Sequence, residues 1–326
     1  MEILSKLKSY VDKISKLKKE IQKTVVGQEE VVDSIIKGIL CHGNILVEGL
    51  PGTAKTLIIR TIAKTTGCSF SRIQFTVDLL PSDIVGITSY NKDKGFYAIK
   101  GPIFANFVLA DEINRAPPKS QSALLEAMAE RQVTLGTSTY KLSEPFFIMA
   151  TQNPIESSGT YPLPEAQVDR FIFKIYITYP QEEEEMVVLR NNISLGNFDN
   201  KGLNKILSPK QVIEMQKYVK DKIKVNEKIE KYIVRIVDAT RYPKKYGLKS
   251  GKYVEYGVSA RGSIGLYISS KADAFMQGKE FVSPQNVKNV CKEVLRHRIL
   301  LNYEGQAEGL TSDDVIDEIL KKVRIP

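Results

Sequence analysis

Apolar residues at Ile3, Leu7, Tyr10, Ile14, Leu17 and Ile21 recur at alternating spacings of four and three, with lysines between them. That is the seam of an amphipathic helix, so residues 1–23 are predicted to form one that docks on its own domain or on a neighbouring subunit. From Val25 to about Tyr179 the pattern changes. Short apolar runs at Asn44–Glu48, Ser69–Gln74, Phe107–Asp111, Phe146–Thr151 and Phe171–Ile177 read as buried strands, and amphipathic stretches such as Thr56–Thr65 and Ser120–Glu130 lie between them. Alternation of this kind predicts an α/β domain over 24–192, a parallel five-stranded sheet between helices. The polar stretch Asn191–Leu207, with Gly196 and Gly202, marks a boundary. Beyond it the period is helical at Pro209–Lys220, Glu227–Thr240, Ser259–Met276, Pro284–Arg296 and Ser312–Lys322. A smaller all-α domain is therefore expected over 205–326.

Composition narrows the picture. A chain of 326 residues has room for two domains, and 42% hydrophobic with 26% charged residues describes a folded protein rather than a disordered one. No apolar run approaches the ~20 residues of a membrane span, and the N-terminus has no signal-peptide core, so no membrane insertion is expected. Cys41, Cys68 and Cys291 stand far apart without metal or disulfide spacing, and Cys41-His42 lacks further ligands. The expected compartment is the cytoplasm. A net charge of +9 raises the question of nucleic acid or an anionic surface as partner.

In a parallel sheet, ligands bind at the carboxyl ends of the strands. After the first strand comes Gly49-Leu50-Pro51-Gly52-Thr53-Ala54-Lys55-Thr56. Small residues there let backbone N–H groups turn around phosphate oxygens, and the following helix adds its positive end. Lys55 is expected on the β- and γ-phosphates of ATP, and the Thr56 hydroxyl on Mg²⁺. Glycine is generic where Ala54 stands, but a residue that opens a helix is expected to tolerate alanine without strain. The third strand ends in Asp111-Glu112. Asp111 is the candidate to hold Mg²⁺ through water, and Glu112 the general base for the attacking water. At the end of the fourth strand, Asn153 is the candidate to orient that water, or else to cap the turn before Pro154. Arg170 stands at the far edge of the domain, placed to enter a neighbour's site or to pair with Asp169 or Glu165.

These residues resemble the MoxR family of AAA+ ATPases. The resemblance is carried by Asp111-Glu112-Ile113-Asn114-Arg115-Ala116-Pro117-Pro118-Lys119, Ala150-Thr151-Gln152-Asn153-Pro154, the run Gly159–Gln167 and Asp169-Arg170-Phe171. Arg72-Ile73-Gln74-Phe75-Thr76, Asp78–Asp83, Gly101–Asn106 and Val294-Leu295-Arg296-His297-Arg298 add to it, over a span from Val26 to about Glu318. Ala54 fits the family as well. The resemblance implies a P-loop AAA+ core followed by a helical lid. It further implies a homo-oligomeric ring, usually hexameric, with ATP sites between subunits. Two hairpin insertions are implied at about 87–99 and 132–142. Arg170 becomes an arginine finger, and Arg261, in Gly257-Val258-Ser259-Ala260-Arg261, a second sensor. Val26 and Gly27, in Val25-Val26-Gly27-Gln28, become the segment beside adenine. Val77 and Ala260 stand where family members often carry proline, and neither departure removes a functional group. A partner with a von Willebrand factor A domain is implied, and a role as a chaperone that remodels or matures other proteins.

Competing readings share the core: a DNA- or RNA-translocating helicase-like motor, a metal-chelatase-like ATPase subunit, and a scaffold that binds ATP without turning it over. Arg241–Tyr253 interleaves cations with tyrosines, as a base-stacking surface does. Against the translocating motor, the Gly136-Thr137-Ser138 tip carries no cation to hold a phosphate backbone. Glu112, Asn153 and Arg170 together argue for turnover over scaffolding. Protein remodelling is the favoured expectation.

Overall fold

A computed structural model of the chain describes residues 2–93, 95–155, 159–191 and 202–326. In chain order the first strands are β1 Ile45–Gly49, β2 Phe70–Gln74, β3 Gly86–Asn91, β4 Gly95–Lys100, β5 Phe107–Asp111, β6 Gln132–Leu135, β7 Ser138–Lys141, β8 Phe147–Gln152 and β9 Phe173–Ile177. Five of them build one sheet in the order β2-β5-β8-β1-β9, in which the β2–β5, β5–β8 and β8–β1 pairs are parallel. All five residues of β5 and the first five of β8 are buried. Strands covered on both faces read as unbroken apolar runs, and that is the pattern their sequences carry. β8 lies between β1 and β5, and the registers Val47↔Thr151 and Ala110↔Ala150 bring their carboxyl ends level. Everything chemical in this domain gathers at that edge.

Two antiparallel hairpins, β3–β4 and β6–β7, occupy the predicted insertions. Lys94, at the tip of the first, lies outside the described residues. The first hairpin leaves Tyr90 and Phe96 exposed as a tilted ring pair with centroids 5.1 Å apart.

The backbone divides into two compact units, one of Asp12–Pro164 with Ile175–Glu214, the other of Met1–Val11, Glu165–Lys174 and Met215–Pro326. The division differs from 1–23, 24–192 and 205–326. The helix Glu2–Gln22 contributes to both units, and Glu165–Lys174 packs with the helical one. Periodicity identifies an element but not the unit against which it packs. The boundary expected at Asn191–Leu207 falls largely on 192–201, outside the described residues.

In the helical unit the helices are Glu227–Arg241, Ala260–Met276, Pro284–Leu295 and Ser312–Lys322, with part of Pro209–Lys222. Asn226, Ser259, Ser283 and Thr311 start them as N-caps whose side chains accept backbone N–H bonds. A short pair of strands, Val254–Tyr256 with Leu300–Leu301, is too brief to leave a period in the sequence. Tyr10 of the N-terminal seam packs into this unit against Tyr218 and Phe275, at 5.5 and 6.0 Å between ring centroids. The rest of the described seam, Leu7, Ile14, Leu17 and Ile21, is buried too. No helix among the described residues is long and apolar enough to cross a membrane.

Candidate active site

β1 ends at Gly49, where an added Cβ would stand 2.6 Å from the Ile177 carbonyl oxygen, so only glycine lets β1 and β9 approach this closely. The loop then turns through Gly52 at φ 82 and Ala54 at φ 62 before the helix Lys55–Thr66 begins. Left-handed residues in such a loop point successive N–H groups inward, which makes an anion-binding concavity at the positive end of the helix. The expectation that Ala54 opens the helix without strain is corrected here. It sits at φ 62, ψ 18, where an L-residue is about 1–2 kcal/mol less favourable than in the right-handed region. That Cβ penalty is why glycine is the generic choice. The buried Thr53 hydroxyl donates to the Leu50 carbonyl at 2.8 Å, and the Lys55 ammonium donates to the Gly49 and Leu50 carbonyls at 2.8 and 2.7 Å. Burial lowers the Lys55 pKa, and the charges of Asp111 and Glu112 oppose the shift.

A cavity of about 550 Å³ opens at this strand edge, inside the size range of small-molecule sites. Val26, Pro51, Gly52, Thr53, Ala54, Lys55, Thr56, Asp111, Glu112 and Asn153 all line it, whereas Gly27 and Gly49 do not. Val25 and Val26 stand on its wall with Pro180 and Val188, and the Gln28 amide fixes that entry by donating to the Thr178 carbonyl at 2.9 Å. Asn153 is buried, and its Oδ1 accepts the Ile155 N–H at 3.2 Å. It therefore caps the turn and lines the cavity at once.

The two acidic residues are held by groups to which the sequence analysis gave no role. Asp111 accepts from Arg72 through Oδ2, at 2.6 and 3.1 Å, and from the Thr151 hydroxyl through Oδ1 at 2.6 Å. The same Thr151 oxygen accepts the Glu112 backbone N–H at 2.9 Å. Glu112 is left-handed, at φ 56 and ψ 50, a strained conformation that persists only where the surroundings impose it. Its carboxylate accepts from Gln74 at 2.9 Å and from Arg115 at 3.0 Å, and Arg72 also donates to Gln74 at 2.6 Å. Arg72 and Gln74 alternate along β2 with Gln74 in register with Asp111, so a period-2 reading of that strand beside the acidic one could have found them.

Oxygen donors suit Mg²⁺, which keeps several waters and takes one or two protein ligands plus phosphate oxygens. Thr56 and Asp111 line the same cavity and match that demand. Among the described residues no group of three or more His, Cys, Asp and Glu gathers into an all-protein metal cage.

Arg170 and Arg261 belong to the other unit and are not among the lining residues. Arg170 is exposed. Arg261, also exposed, has Nη1 3.4 Å from Asp169 Oδ2.

Residues 44–173 match the AAA family, described as the ATPase family associated with various cellular activities, and 249–319 match the AAA lid domain. Loop, acidic strand end and lid thus define an AAA+ ATPase. The chain is 43% identical to the chaperone MoxR1 of Mycobacterium tuberculosis, over 94% of this chain and 81% of that one. It is 40% identical to the protein YeaC of Bacillus subtilis, over 96% and 95% of the two chains. A crystal structure of a candidate ATPase from Cytophaga hutchinsonii superposes with a TM-score of 0.92 at 49% identity, covering 99% of this chain and 97% of the other. The chain belongs to the MoxR family of AAA+ ATPases.

Proposed function

We propose that the cavity binds ATP with Mg²⁺ and hydrolyses it, and that the chain works as a ring, hexameric by family resemblance, which remodels partner proteins. The observation that carries the reading is the convergence of Lys55, Thr56, Asp111, Glu112 and Asn153 on one cavity behind a left-handed phosphate loop. Val26, with Val25 beside it on the cavity wall, receives the adenine end. Loop N–H groups and Lys55 hold the β- and γ-phosphates. Thr56 and Asp111 would hold Mg²⁺, which when bound would neutralise charge on the phosphate oxygens. Glu112 takes a proton from water as the water oxygen bonds to the γ-phosphorus. The bond from that phosphorus to the bridging oxygen breaks, and ADP leaves with the electron pair. Asn153 orients the water. Arg170 acts as the arginine finger of a neighbouring subunit, and Arg261 as the second sensor.

A chaperone role is supported by the relative named chaperone MoxR1. A von Willebrand factor A domain partner follows from the resemblance, and a cytoplasmic location from three cysteines without disulfide or metal spacing. Several side chains of the basic loop are engaged within their own unit, which leaves fewer cations for a phosphate backbone and favours a protein client. Lys245 pairs with Asp238 at 2.8 Å, Lys252 lies 4.3 Å from the Tyr253 ring centroid, and Tyr253 donates to Glu308 at 2.5 Å.

Nucleotide titration and steady-state turnover test the assignment together. Lys55→Ala is expected to lose ATP binding, while Glu112→Gln binds ATP and stalls in the assembled state. Normal turnover by Glu112→Gln would show that another group is the base. ATPase activity that rises strongly with DNA at ~150 mM salt would favour the translocating motor instead.

A further inference from the structure

The run Arg296-His297-Arg298 grips the segment that carries Arg170. Arg298 is buried, its side chain only 4% exposed. Its Nε donates to Asp169 Oδ1 at 2.7 Å, and its Nη2 to the carbonyls of Asp169 and Phe171 at 3.1 and 2.7 Å. Nη1 donates to the Ile172 carbonyl at 3.3 Å and to the Val294 carbonyl. A guanidinium has five N–H groups, and these bonds use every one. His297 Nε2 stands 3.1 Å from the Phe171 carbonyl, and Arg296 donates to the Lys174 carbonyl at 3.4 Å.

A buried cation is costly, and helix ends can be satisfied without one. Spending all five donors of a rigid fork on residues 169–172 and the helix end at Val294 fixes the backbone on either side of Arg170, whose own side chain is exposed. Lysine could not do this, since three donors on a flexible stem cannot span acceptors arranged around a plane. The second oxygen of Asp169 faces Ser259 at 3.1 Å and Arg261 at 3.4 Å. The carboxylate of Asp169, the residue before Arg170, thus joins Arg298 on one oxygen to Arg261 on the other.

We propose that Arg298 is a positioning residue for ATP hydrolysis, which fixes the Asp169–Ile172 backbone and so aims Arg170. The proposal rests on the reading of Arg170 as a finger acting in trans. Misplacing a reacting group by about 1 Å can cost 10²-fold in rate, so a loosened segment loses turnover without losing ATP.

Arg298→Lys keeps a positive charge beside Asp169 and removes the fork. The expected result is kcat lower by about 10- to 100-fold, with affinity for a fluorescent ATP analogue within about threefold of the parent. The variant is then mixed with Lys55→Ala. Each Arg298→Lys subunit offers an intact phosphate loop to a neighbour whose Arg170 is correctly held, so activity returns on mixing. A subunit that is merely unfolded restores nothing, which separates positioning from structural damage. Arg170→Ala mixed with Lys55→Ala is the reference. If that mixture regains activity and the Arg298→Lys mixture does not, the proposal fails and the finger reading stands. If the reference mixture stays inactive although subunits exchange, the finger reading fails and takes the proposal with it. Parallel loss of affinity and kcat, or an unchanged kcat, also overturns the proposal. Asp169→Asn provides a second variant with the same expected split should Arg298→Lys not fold. If neither folds, the clamp is a folding element and the proposal is wrong.

Discussion

Thr151 offers the sharpest test of how the acidic pair is held. Its buried hydroxyl donates to Asp111 at 2.6 Å and accepts the Glu112 N–H at 2.9 Å, so one oxygen ties a charge to a strained peptide. Thr151→Val keeps the shape and removes both bonds. A hydrogen bond to a charged group contributes about 1.5–3 kcal/mol, and an orphaned buried N–H costs about 1–3 kcal/mol. The α/β unit should lose roughly 3–5 kcal/mol, lowering the thermal midpoint by on the order of 10 °C. Glu112 at φ 56 should relax once its N–H is released. Its carboxylate then leaves the position that Gln74 and Arg115 define, and kcat should fall at least tenfold while ATP affinity changes little. Thr151→Ser, which keeps the oxygen, should sit close to the parent in both measurements. Differential scanning calorimetry and steady-state kinetics on the three proteins suffice. A valine variant that melts and turns over like the parent would refute the idea that Thr151 holds the site.

Ala54→Gly should raise the thermal midpoint. Removing the Cβ relieves about 1–2 kcal/mol at φ 62, and the extra freedom of glycine in the unfolded chain returns about 0.4–1 kcal/mol of that. A lower midpoint would show that the Cβ makes packing contacts worth more than the strain. The pH dependence of stability should carry the mark of His297. Burial first, and then the charge of Arg298, push its pKa well below the ordinary histidine value, so the folded ring stays neutral. Above about pH 6.5 neither state binds the proton and stability is complete; below it only the unfolded chain does, so stability falls as pH drops. Urea melts between pH 8 and pH 5 should show that loss, and His297→Gln should flatten the slope.

The sequence by itself determined the class of this protein and most of its chemistry. Lys55, Thr56, Asp111 and Glu112 were legible because a phosphate loop needs small residues between a strand and a helix, and that demand acts on adjacent positions. The unbroken apolar runs of β5 and β8 gave away a sheet buried on both faces, and helical periodicity placed the main helices of the other unit. Ala54 was misjudged because a one-dimensional reading assigns it to the helix, while its backbone belongs to the loop. What only the tertiary structure decided are relations between distant residues. Thr151 reaches Asp111 because β8 is inserted between β1 and β5, and Arg72 reaches it because β2 is the neighbour on the other side. Arg298 closes on Asp169 from 129 positions away, and Glu165–Lys174 packs with the helical unit although its neighbours in sequence belong to the sheet. Periodicity records which face of an element is apolar, since burial acts on each element separately. Which elements become neighbours is set by packing the whole chain at once, and no local pattern carries that.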